Sequence, residues 1–133
     1  ENKLIKPFLE KLGYSEDEYI QQLPIEVGNH NHKQIPDFVI HPKVSTGHQS
    51  ADFLLEAKLS IPSIKSLEEA KTQARGYAKL LNAKYSVVAA KEGIWISQIE
   101  DDYSKDILSF SWAELKKEDD FFKVYKLIGN GKV

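Results

Sequence analysis

The stretch FLLEAKLS, residues 53–60, decides the fold because it is an apolar run that carries two charges. Successive side chains of a β-strand point to opposite faces, so Glu56 and Lys58 share one face with Leu54. The other face is apolar and consists of Phe53, Leu55, Ala57 and Leu59. Burying ionised groups costs several kcal/mol unless a partner compensates. The stretch therefore predicts either an ion pair on a solvated strand or a charged site built on a buried sheet.

A second apolar stretch, IPDFVI at residues 35–40, places another carboxylate, Asp37, immediately upstream. A hairpin through residues 41–50 sets Asp37 beside Glu56. Two carboxylates about 4 Å apart repel by roughly 4 kcal/mol at an effective dielectric constant of about 20, so such a pair requires a cation. Oxygen ligands alone favour magnesium or manganese over zinc. Lys58, on the same face, is then placed to hold a hydroxide nucleophile or the charge of a phosphoryl oxygen.

The pattern of apolar and turn residues around these stretches predicts three helices and five strands. The first helix ends at Gly13 and has its apolar residues at helical spacing, namely Leu4, Ile5, Phe8, Leu9 and Leu12. A capping box of Ser15 and Glu18 can add a further turn. The strands are predicted at residues 23–27, 35–40, 51–60, 85–90 and 94–99.

Two further capping boxes mark the remaining helices. Ser66 and Glu69 open a helix through Leu81, whose buried seam is Leu67, Ala70, Ala74, Tyr77 and Leu81. Ser111 and Glu114 open a closing helix. The resulting order, αβββαββα, is that of an α/β fold with a central mixed sheet of about five strands flanked by helices.

Bulk properties favour one globular domain over residues 1–133. The chain is 41% hydrophobic and 29% charged, and no apolar run approaches the roughly 20 residues of a membrane helix. No signal-peptide pattern opens the chain and it contains no cysteine, so we expect a cytoplasmic protein that does not act at a membrane. The absence of methionine leads us to expect a processed chain or a piece of a longer protein.

The net charge of −2 and a pI near 6.1 do not indicate a general nucleic-acid binder. Any affinity for a polyanion must therefore be local. One concentration of basic residues lies on or beside the second predicted helix: Lys65, Lys71, Arg75, Lys79 and Lys84. These residues form either a local phosphate-binding surface or an ordinary solvated helix face.

Taken together, the motifs resemble the PD-(D/E)XK nuclease superfamily. Pro36 and Asp37 match its "PD", and Glu56 to Lys58 match its second motif as EAK. Gln73 and Tyr77 resemble the Gln-x-x-x-Tyr signature of RecB-type exonucleases and of the nuclease domain of type I restriction subunits. ENKLIKPFLEKLGY at the start is similar to the first helix of that restriction domain, and FSWAEL with FFKVYKL is similar to its closing segment. The resemblance implies a restriction-endonuclease-like core.

The resemblance also implies magnesium-dependent hydrolysis of DNA phosphodiester bonds, with manganese as a possible substitute. Asp37 and Glu56 would ligate the metal, together with the backbone carbonyl of Ala57, and Lys58 would orient or activate the attacking water. The pair at positions 73 and 77 would support the site or contact the DNA backbone, although Tyr77 also lies on the predicted buried seam.

The N-terminal glutamate of the family best matches Glu1, which the resemblance makes a further metal ligand. Helical geometry places Glu1 on the face of Ile5, Phe8 and Leu12, whereas Glu10 falls on the opposite face. This face is the one that turns inward, so Glu1 can approach the sheet.

The resemblance leaves open which partners act with this domain. No phosphate-cradling Gly-x-x-x-x-Gly-Lys loop is present, so an ATP-driven motor would have to be another domain or subunit of a longer restriction enzyme. The alternative is a catalytically weak nuclease-like module for DNA binding or assembly. His30 and His32 could be metal ligands, but a polar loop with an asparagine-rich turn is the favoured interpretation. His41 and His48 are expected in a loop without a partner at ligand spacing.

Overall fold

The computed structural model describes residues 2–23, 25–26, 33–34, 36–45 and 48–131. Its helices are α1 (Asn2–Lys11), α2 (Ile64–Leu80) and α3 (Glu118–Ile128). The main sheet consists of β1 (Tyr19–Gln21), β2 (Phe38–Ile40), β3 (Phe53–Ala57), β4 (Tyr85–Ala90), β5 (Gly93–Ile99) and β6 (Ser104–Phe110). Short 3₁₀ turns span Glu16–Glu18 and Glu114–Lys116. Two small ribbons pair Ile25–Glu26 with Lys33–Gln34 and Lys43–Ser45 with His48–Ser50.

The six strands of the main sheet lie side by side in chain order. All neighbours are antiparallel except β3 and β4, which run parallel and are joined by α2. A parallel connection needs such a crossover, because the chain must return to the same end of the sheet. The mixed sheet flanked by three helices confirms the predicted α/β class.

The sheet separates two hydrophobic layers. The larger layer lies on the side of α1 and α3, and Phe8, Leu9 and Leu12 of the first helical segment are buried in it. Gly13 ends that segment at a φ of +98°, a conformation that favours glycine. The smaller layer lies under α2 and contains Ala70, Ala74, Tyr77, Ala78 and Leu81, together with Leu54 of β3. Leu54 and the next side chain on its face, Glu56, therefore point toward the α2 side.

Both edge strands of the sheet differ from the prediction. The turn expected after Ser15 forms, but only over Glu16–Glu18, and Tyr19–Gln21 directly after it joins the sheet as a strand. The strand predicted at 23–27 is reduced to Ile25–Glu26 in a separate ribbon. The strand Ser104–Phe110 was not predicted, and a bulge interrupts its register between Asp106 and Leu108. An edge strand is partly solvated, so its sequence lacks the apolar alternation by which the inner strands were recognised.

Two of the three predicted capping boxes form, Ser15–Glu18 and Ser111–Glu114, and each caps a short 3₁₀ turn. The N–H of Ser111 donates to Glu114 Oε1 at 2.8 Å and the N–H of Glu114 to Ser111 Oγ at 3.1 Å. This box caps a 3₁₀ turn, and α3 begins only at Glu118. In α2 the cap is Ser63, whose Oγ accepts from the N–H of Ser66 at 3.1 Å, so the helix begins before the predicted Ser66–Glu69 box.

Candidate active site

The structure brings Asp37 and Glu56 together at one end of the sheet. Phe38 of β2 lies opposite Leu55 of β3, so this antiparallel register, extended by one residue, sets Asp37 opposite Glu56. The backbone N–H of Asp37 donates to Glu56 Oε1 at 2.9 Å. In return, the N–H of Ala57 donates to Asp37 Oδ2 at 2.8 Å. Each carboxylate is thus held by the main chain beside the other.

Burial makes Glu56 an unusual carboxyl. Only 3% of Glu56 is exposed, and burial, with the neighbouring charge of Asp37, raises its pKa to about 7. The hydrogen bond from the Asp37 N–H and the charge of Lys58 act in the opposite direction and lower the pKa. Glu56 therefore keeps its proton to higher pH than a solvated glutamate does, and a bound cation would favour its ionised form.

Lys58 follows β3 directly and continues its ladder, since its N–H donates to the carbonyl of Ala89 at 2.8 Å. Its side chain reaches α2, where Nζ donates to Gln73 Oε1 at 3.2 Å. Gln73 Nε2 in turn donates to the hydroxyl oxygen of Tyr77 at 3.1 Å. The residues predicted from two separate motifs thus lie along a path from β3 to one face of α2: Glu56, Lys58, Gln73 and Tyr77.

The two members of the Gln-x-x-x-Tyr pair differ in their surroundings. Tyr77 is 7% exposed and packs in the hydrophobic layer under α2, so its ring belongs to the core. Its hydroxyl nevertheless accepts the hydrogen bond from Gln73. Gln73 is exposed and joins the lysine to this anchored ring. The alternatives considered for Tyr77, core residue or site support, are therefore compatible with each other.

Asp37 and Glu56 offer donor atoms that suit a hard divalent cation. One oxygen of each accepts a backbone hydrogen bond, and in the described part of the chain no hydrogen bond engages the other, Asp37 Oδ1 or Glu56 Oε2. Two adjacent carboxylates, one of them buried, need positive charge, so magnesium or manganese fits this donor set. Glu1 lies outside the described residues. Among those described, no group of three or more acidic or histidine side chains could hold a metal.

A groove of about 780 Å³ begins at Lys58 and Gln73 and extends along the first turns of α2. Its further lining includes Ser60, Ile61, Lys65, Ser66, Glu68, Glu69, Ala70 and Thr72. This volume lies within the range of about 300 to 1,000 Å³ that is typical of ligand-binding clefts. Lys58 is reached from solvent through this groove.

The basic residues predicted beside α2 do not form one continuous surface. Lys71 is only 7% exposed, and its Nζ contacts Asp106 Oδ2 at 3.2 Å. Arg75 contacts the other oxygen of Asp106 at 2.6 Å and donates to Ser97 Oγ at 3.1 Å. These two cations tie α2 to β5 and β6. Lys65, by contrast, is exposed and lines the groove.

A histidine link that was not predicted closes the opposite end of the first three strands. His41 was expected in a polar loop, but its Nε2 lies 2.9 Å from Glu18 Oε2 and its Nδ1 lies 2.6 Å from Asp52 Oδ2. Asn130 also donates to Glu18 Oε2, at 2.8 Å. Burial disfavours charge on His41, but the two carboxylates outweigh it and raise the pKa of the imidazole. The hydrogen bond with His41, followed by those with Ser15, lowers the pKa of Glu18 to about 2.

Among the four histidines, only the side chain of His41 lies in the described part of the chain. His30 and His32 lie outside the described residues, as does the side chain of His48. His41 uses both ring nitrogens in contacts with carboxylates. A sequence signal for this link was absent, because its carboxylates lie 23 and 11 residues away in the chain.

Comparison with known proteins does not assign the chain to a family. No protein-family model matches it, and no curated protein matches it either. None of the described helices has both the length and the apolar content needed to span a lipid bilayer.

Proposed function

We propose that this domain hydrolyses DNA phosphodiester bonds with the help of magnesium or manganese. The observation that carries the proposal is the reciprocal hydrogen bonding of Asp37 and Glu56, with Lys58 placed two residues beyond Glu56. Two adjacent carboxylates, one of them buried, beside a lysine that lines an open groove suit a metal-dependent attack on a phosphate ester. The PD, EAK and Gln-x-x-x-Tyr motifs support the same function through their resemblance to PD-(D/E)XK nucleases.

Each residue then has a separate role in the proposed reaction. Asp37 and Glu56 hold the cation through their carboxylate oxygens, with the carbonyl of Ala57 as a further ligand. The cation, when bound, lowers the pKa of a coordinated water and offsets the charge of the phosphoryl oxygens. Lys58 positions the attacking water or stabilises charge on a phosphoryl oxygen. Gln73 orients the ammonium group through its contact at 3.2 Å, and Tyr77 fixes Gln73.

The reaction needs no covalent intermediate with the protein. The oxygen of water forms a bond to phosphorus and releases a proton to solvent, while the bond from phosphorus to the departing sugar oxygen breaks and that oxygen takes up a proton from solvent. The side chains hold charge and geometry in this scheme, so electrostatic stabilisation provides most of the rate acceleration.

We further propose that the domain is the nuclease part of a type I restriction-like subunit that acts in the cytoplasm. The resemblance of the first helix and of the closing segment supports this assignment. An ATP-driven motor would then belong to another domain or subunit. Under the alternative, the chain is a nuclease-like module that binds DNA with little hydrolysis.

A cleavage assay separates these functions. Supercoiled, linear and single-stranded DNA are incubated with the protein, with and without magnesium or manganese, and strand breaks are counted on denaturing gels. Asp37→Asn is the matched control, because its amide oxygen can still accept from the N–H of Ala57 while one metal-binding charge is lost. We expect metal-dependent cleavage by the wild type and none by the variant. Binding without cleavage in either metal would favour the alternative, and equal cleavage by Asp37→Asn would refute the site.

A further inference from the structure

An apolar pocket of about 250 Å³ opens between α1 and residues 112–121, on the side of the sheet away from the candidate active site. The ring of Trp112 packs edge-on against Phe8 with 5.6 Å between ring centres, and its Nε1 donates to the carbonyl of Ala90 at 2.7 Å. The pocket is therefore preformed, which limits the ordering entropy that binding would cost. Its apolar lining consists of Leu4, Pro7, Phe8, Trp112, Leu115 and Phe121.

Three exposed lysines complete the lining of this pocket: Lys3, Lys11 and Lys116. None of the described residues that line it is acidic, and no described carboxylate forms an ion pair with these lysines. Lys11 Nζ lies 4.4 Å from the centre of the Phe121 ring. The pocket thus combines an apolar interior with positive charge that the described chain does not neutralise. It suits an apolar side chain flanked by negative charge.

The size of the pocket favours a protein segment over a small molecule. Its volume lies below the range of about 300 to 1,000 Å³ that is typical of small-molecule clefts and is on the scale of one large side chain. Lys3 and Lys11 are about two turns apart on α1, roughly 12 Å along the helix axis. A single carboxylate is too small to meet both. An acidic segment with one large apolar side chain satisfies the lysines and the interior together.

The turn between β5 and β6 has this chemistry. Asp101 and Asp102 are exposed, and Tyr103, directly after them, is 55% exposed. The N–H of Glu100 donates to the carbonyl of Tyr103 at 2.8 Å, which closes the turn. No ion pair within the described part of the chain engages either aspartate.

Other features of the chain make Asp102 and Tyr103 the best placed members of this chemistry. Lys79 and Lys84 share a depression with Asp101, whereas Asp102 is not part of its lining. Phe122 is equally exposed and also follows acidic residues, but Lys126 Nζ already lies 4.9 Å from the centre of its ring.

We propose that the turn Glu100–Tyr103 occupies this pocket in a second copy of the chain. Tyr103 enters the apolar interior, and the two aspartates meet the lysines. The turn precedes the edge strand β6 and Trp112 follows it, so about 23 Å of strand separates the turn from the pocket of its own chain. Two copies with antiparallel β6 strands bring each turn beside the pocket of the other. This reciprocal exchange closes a dimer.

Sedimentation velocity over a range of protein concentrations tests the proposal. We expect a monomer–dimer equilibrium with a Kd on the order of 100 µM, because two turns bury less than the roughly 1,200 Å² of a standard interface. Raising the salt concentration from about 0.05 M to about 0.5 M should weaken the dimer roughly 10-fold, since opposite charges meet in it. The proposal does not depend on the nuclease function, because the pocket and the candidate active site lie on different faces of the sheet.

Variants on both sides of the contact separate it from general charge effects. Tyr103→Ser should weaken the dimer roughly 10-fold or more, because the central apolar side chain is lost, while the melting temperature stays the same. Asp101→Lys/Asp102→Lys and Lys11→Glu/Lys116→Glu should each remain monomeric. An equal mixture of these two double variants should dimerise, because each turn then faces a pocket of opposite charge.

Two controls accompany the mixture. Lys123→Glu/Lys126→Glu changes the net charge as much as Lys11→Glu/Lys116→Glu does, at exposed positions of α3 outside the pocket, and should dimerise like the wild type. The mixture with Tyr103→Ser added to both chains should stay monomeric.

Four results would each overturn the proposal. They are a wild-type protein that stays monomeric up to about 1 mM, undiminished association of Tyr103→Ser, no association in the mixture of double variants, and loss of the dimer in Lys123→Glu/Lys126→Glu. The last result would attribute the association to net charge.

Discussion

Asp37, which directly precedes β2, lies opposite Glu56 of β3, and each carboxylate accepts a hydrogen bond from the backbone beside the other. The Asp37 N–H donates to Glu56 Oε1 at 2.9 Å, and the N–H of Ala57, the residue after Glu56, donates to Asp37 Oδ2 at 2.8 Å. These two hydrogen bonds hold two acidic side chains next to each other. The two carboxylates repel each other when both are ionised. If the domain binds a cation as proposed, both carboxylates are already in place for it, and the predictions about metal and pH follow from that proposal.

Magnesium or manganese should raise the melting temperature of the wild-type protein. A ligand that binds only the native state at 100 times its Kd stabilises that state by about 2.7 kcal/mol. Asp37→Ala should abolish the shift, because a single remaining carboxylate is a poor site. Asp37→Asn should also lose the metal-induced shift, although its amide oxygen can still accept the hydrogen bond from the N–H of Ala57. This result would show that the charge of Asp37 is what binds the metal. Equal metal-induced shifts in the three proteins, measured by differential scanning calorimetry, would place any bound metal elsewhere.

Glu56 should make the metal-free protein less stable as the pH rises. A carboxyl whose folded-state pKa is raised from 4.5 to about 7 binds its proton more tightly in the native state. Its favourable contribution is therefore complete below about pH 4.5 and is lost as the pH rises through about 7, with a total on the order of 3 kcal/mol. Glu56→Gln should remove this pH dependence.

The measurement is urea denaturation of wild type and Glu56→Gln between pH 4.5 and pH 8, with the difference between the two proteins plotted against pH. We expect the unfolding free energy of the variant, relative to that of the wild type, to increase as the pH rises. Magnesium at the highest pH should reverse the advantage, since only the carboxylate binds it well. A constant difference across this range would mean that Glu56 titrates normally in the folded protein.

The central part of this site could be predicted because its strands are consecutive in the chain. Asp37 and Glu56 lie on apolar stretches joined by a short connection, so an antiparallel hairpin brings them together in almost any register that keeps their shared face. The apolar stretches in the sequence likewise predicted the inner strands. The parallel β3–α2–β4 unit follows from a helix between two apolar strands, one of which, β4, is buried throughout.

The parts that escaped prediction depend on contacts distant in sequence. Tyr19–Gln21 forms a strand because the backbone of β2 is available to it, although two of its three residues are exposed. His41 contacts Glu18 and Asp52 only because the sheet brings together the ends of β1, β2 and β3. Lys71 contacts Asp106, which lies 35 residues later in the chain. This contact engages one of the cations of the basic group beside α2. No local pattern encodes such pairings, since each arises from the finished sheet.

The histidine link should stabilise the protein most at mildly acidic pH. Because the pKa of His41 is raised, its contribution is complete below its unfolded-state pKa of about 6.5 and is lost as the pH rises through the higher folded-state value. The charged and titratable groups around the ring are Glu18, Asp52 and Tyr14. Burial and these carboxylates raise the pKa of Tyr14, so its hydroxyl stays neutral across this range.

His41→Asn is the appropriate variant, because the residue has a φ of +51° and asparagine tolerates this conformation. It should lower the unfolding free energy at pH 6, because the contacts of the charged ring with two partly solvated carboxylates are lost. At pH 9 the loss should shrink. Thermal melts of both proteins at the two pH values test this expectation, and a loss that grows toward alkaline pH would contradict it.

The Gln73 and Tyr77 pair should separate activity from stability. Gln73→Ala removes an exposed side chain that contacts the lysine, so cleavage should fall roughly 10-fold while the melting temperature changes little. Tyr77→Ala should cost about 3 kcal/mol or more, because its ring is buried under α2. Tyr77→Phe keeps the ring and should resemble Gln73→Ala. Unchanged cleavage by Gln73→Ala in a gel assay would reduce the Gln-x-x-x-Tyr match to a helix pattern.

Lys58 should contribute charge to the reaction rather than to the fold. Lys58→Ala should still bind magnesium and DNA but cleave about 10² to 10³ times more slowly, the effect of removing one electrostatic stabiliser. Lys58→Arg should not restore the rate fully, because a planar guanidinium cannot place a compact charge at the same point. Lys65→Ala, an exposed lysine of the same groove, is the matched control and should cleave within a few-fold of wild type.

A second readout distinguishes this role of Lys58 from a structural counter-charge. The ammonium group lowers the pKa of Glu56, so its removal should shift the acid limb of the cleavage rate profile to higher pH. It should also lower the stability of the metal-free variant near pH 8, and magnesium should restore part of that loss, since the cation supplies the missing positive charge. Single-turnover rates across the pH range and urea denaturation with and without magnesium provide both measurements. If Lys58→Ala cleaves DNA at the wild-type rate, or unfolds equally with and without metal, Lys58 only balances charge and the proposed mechanism is wrong.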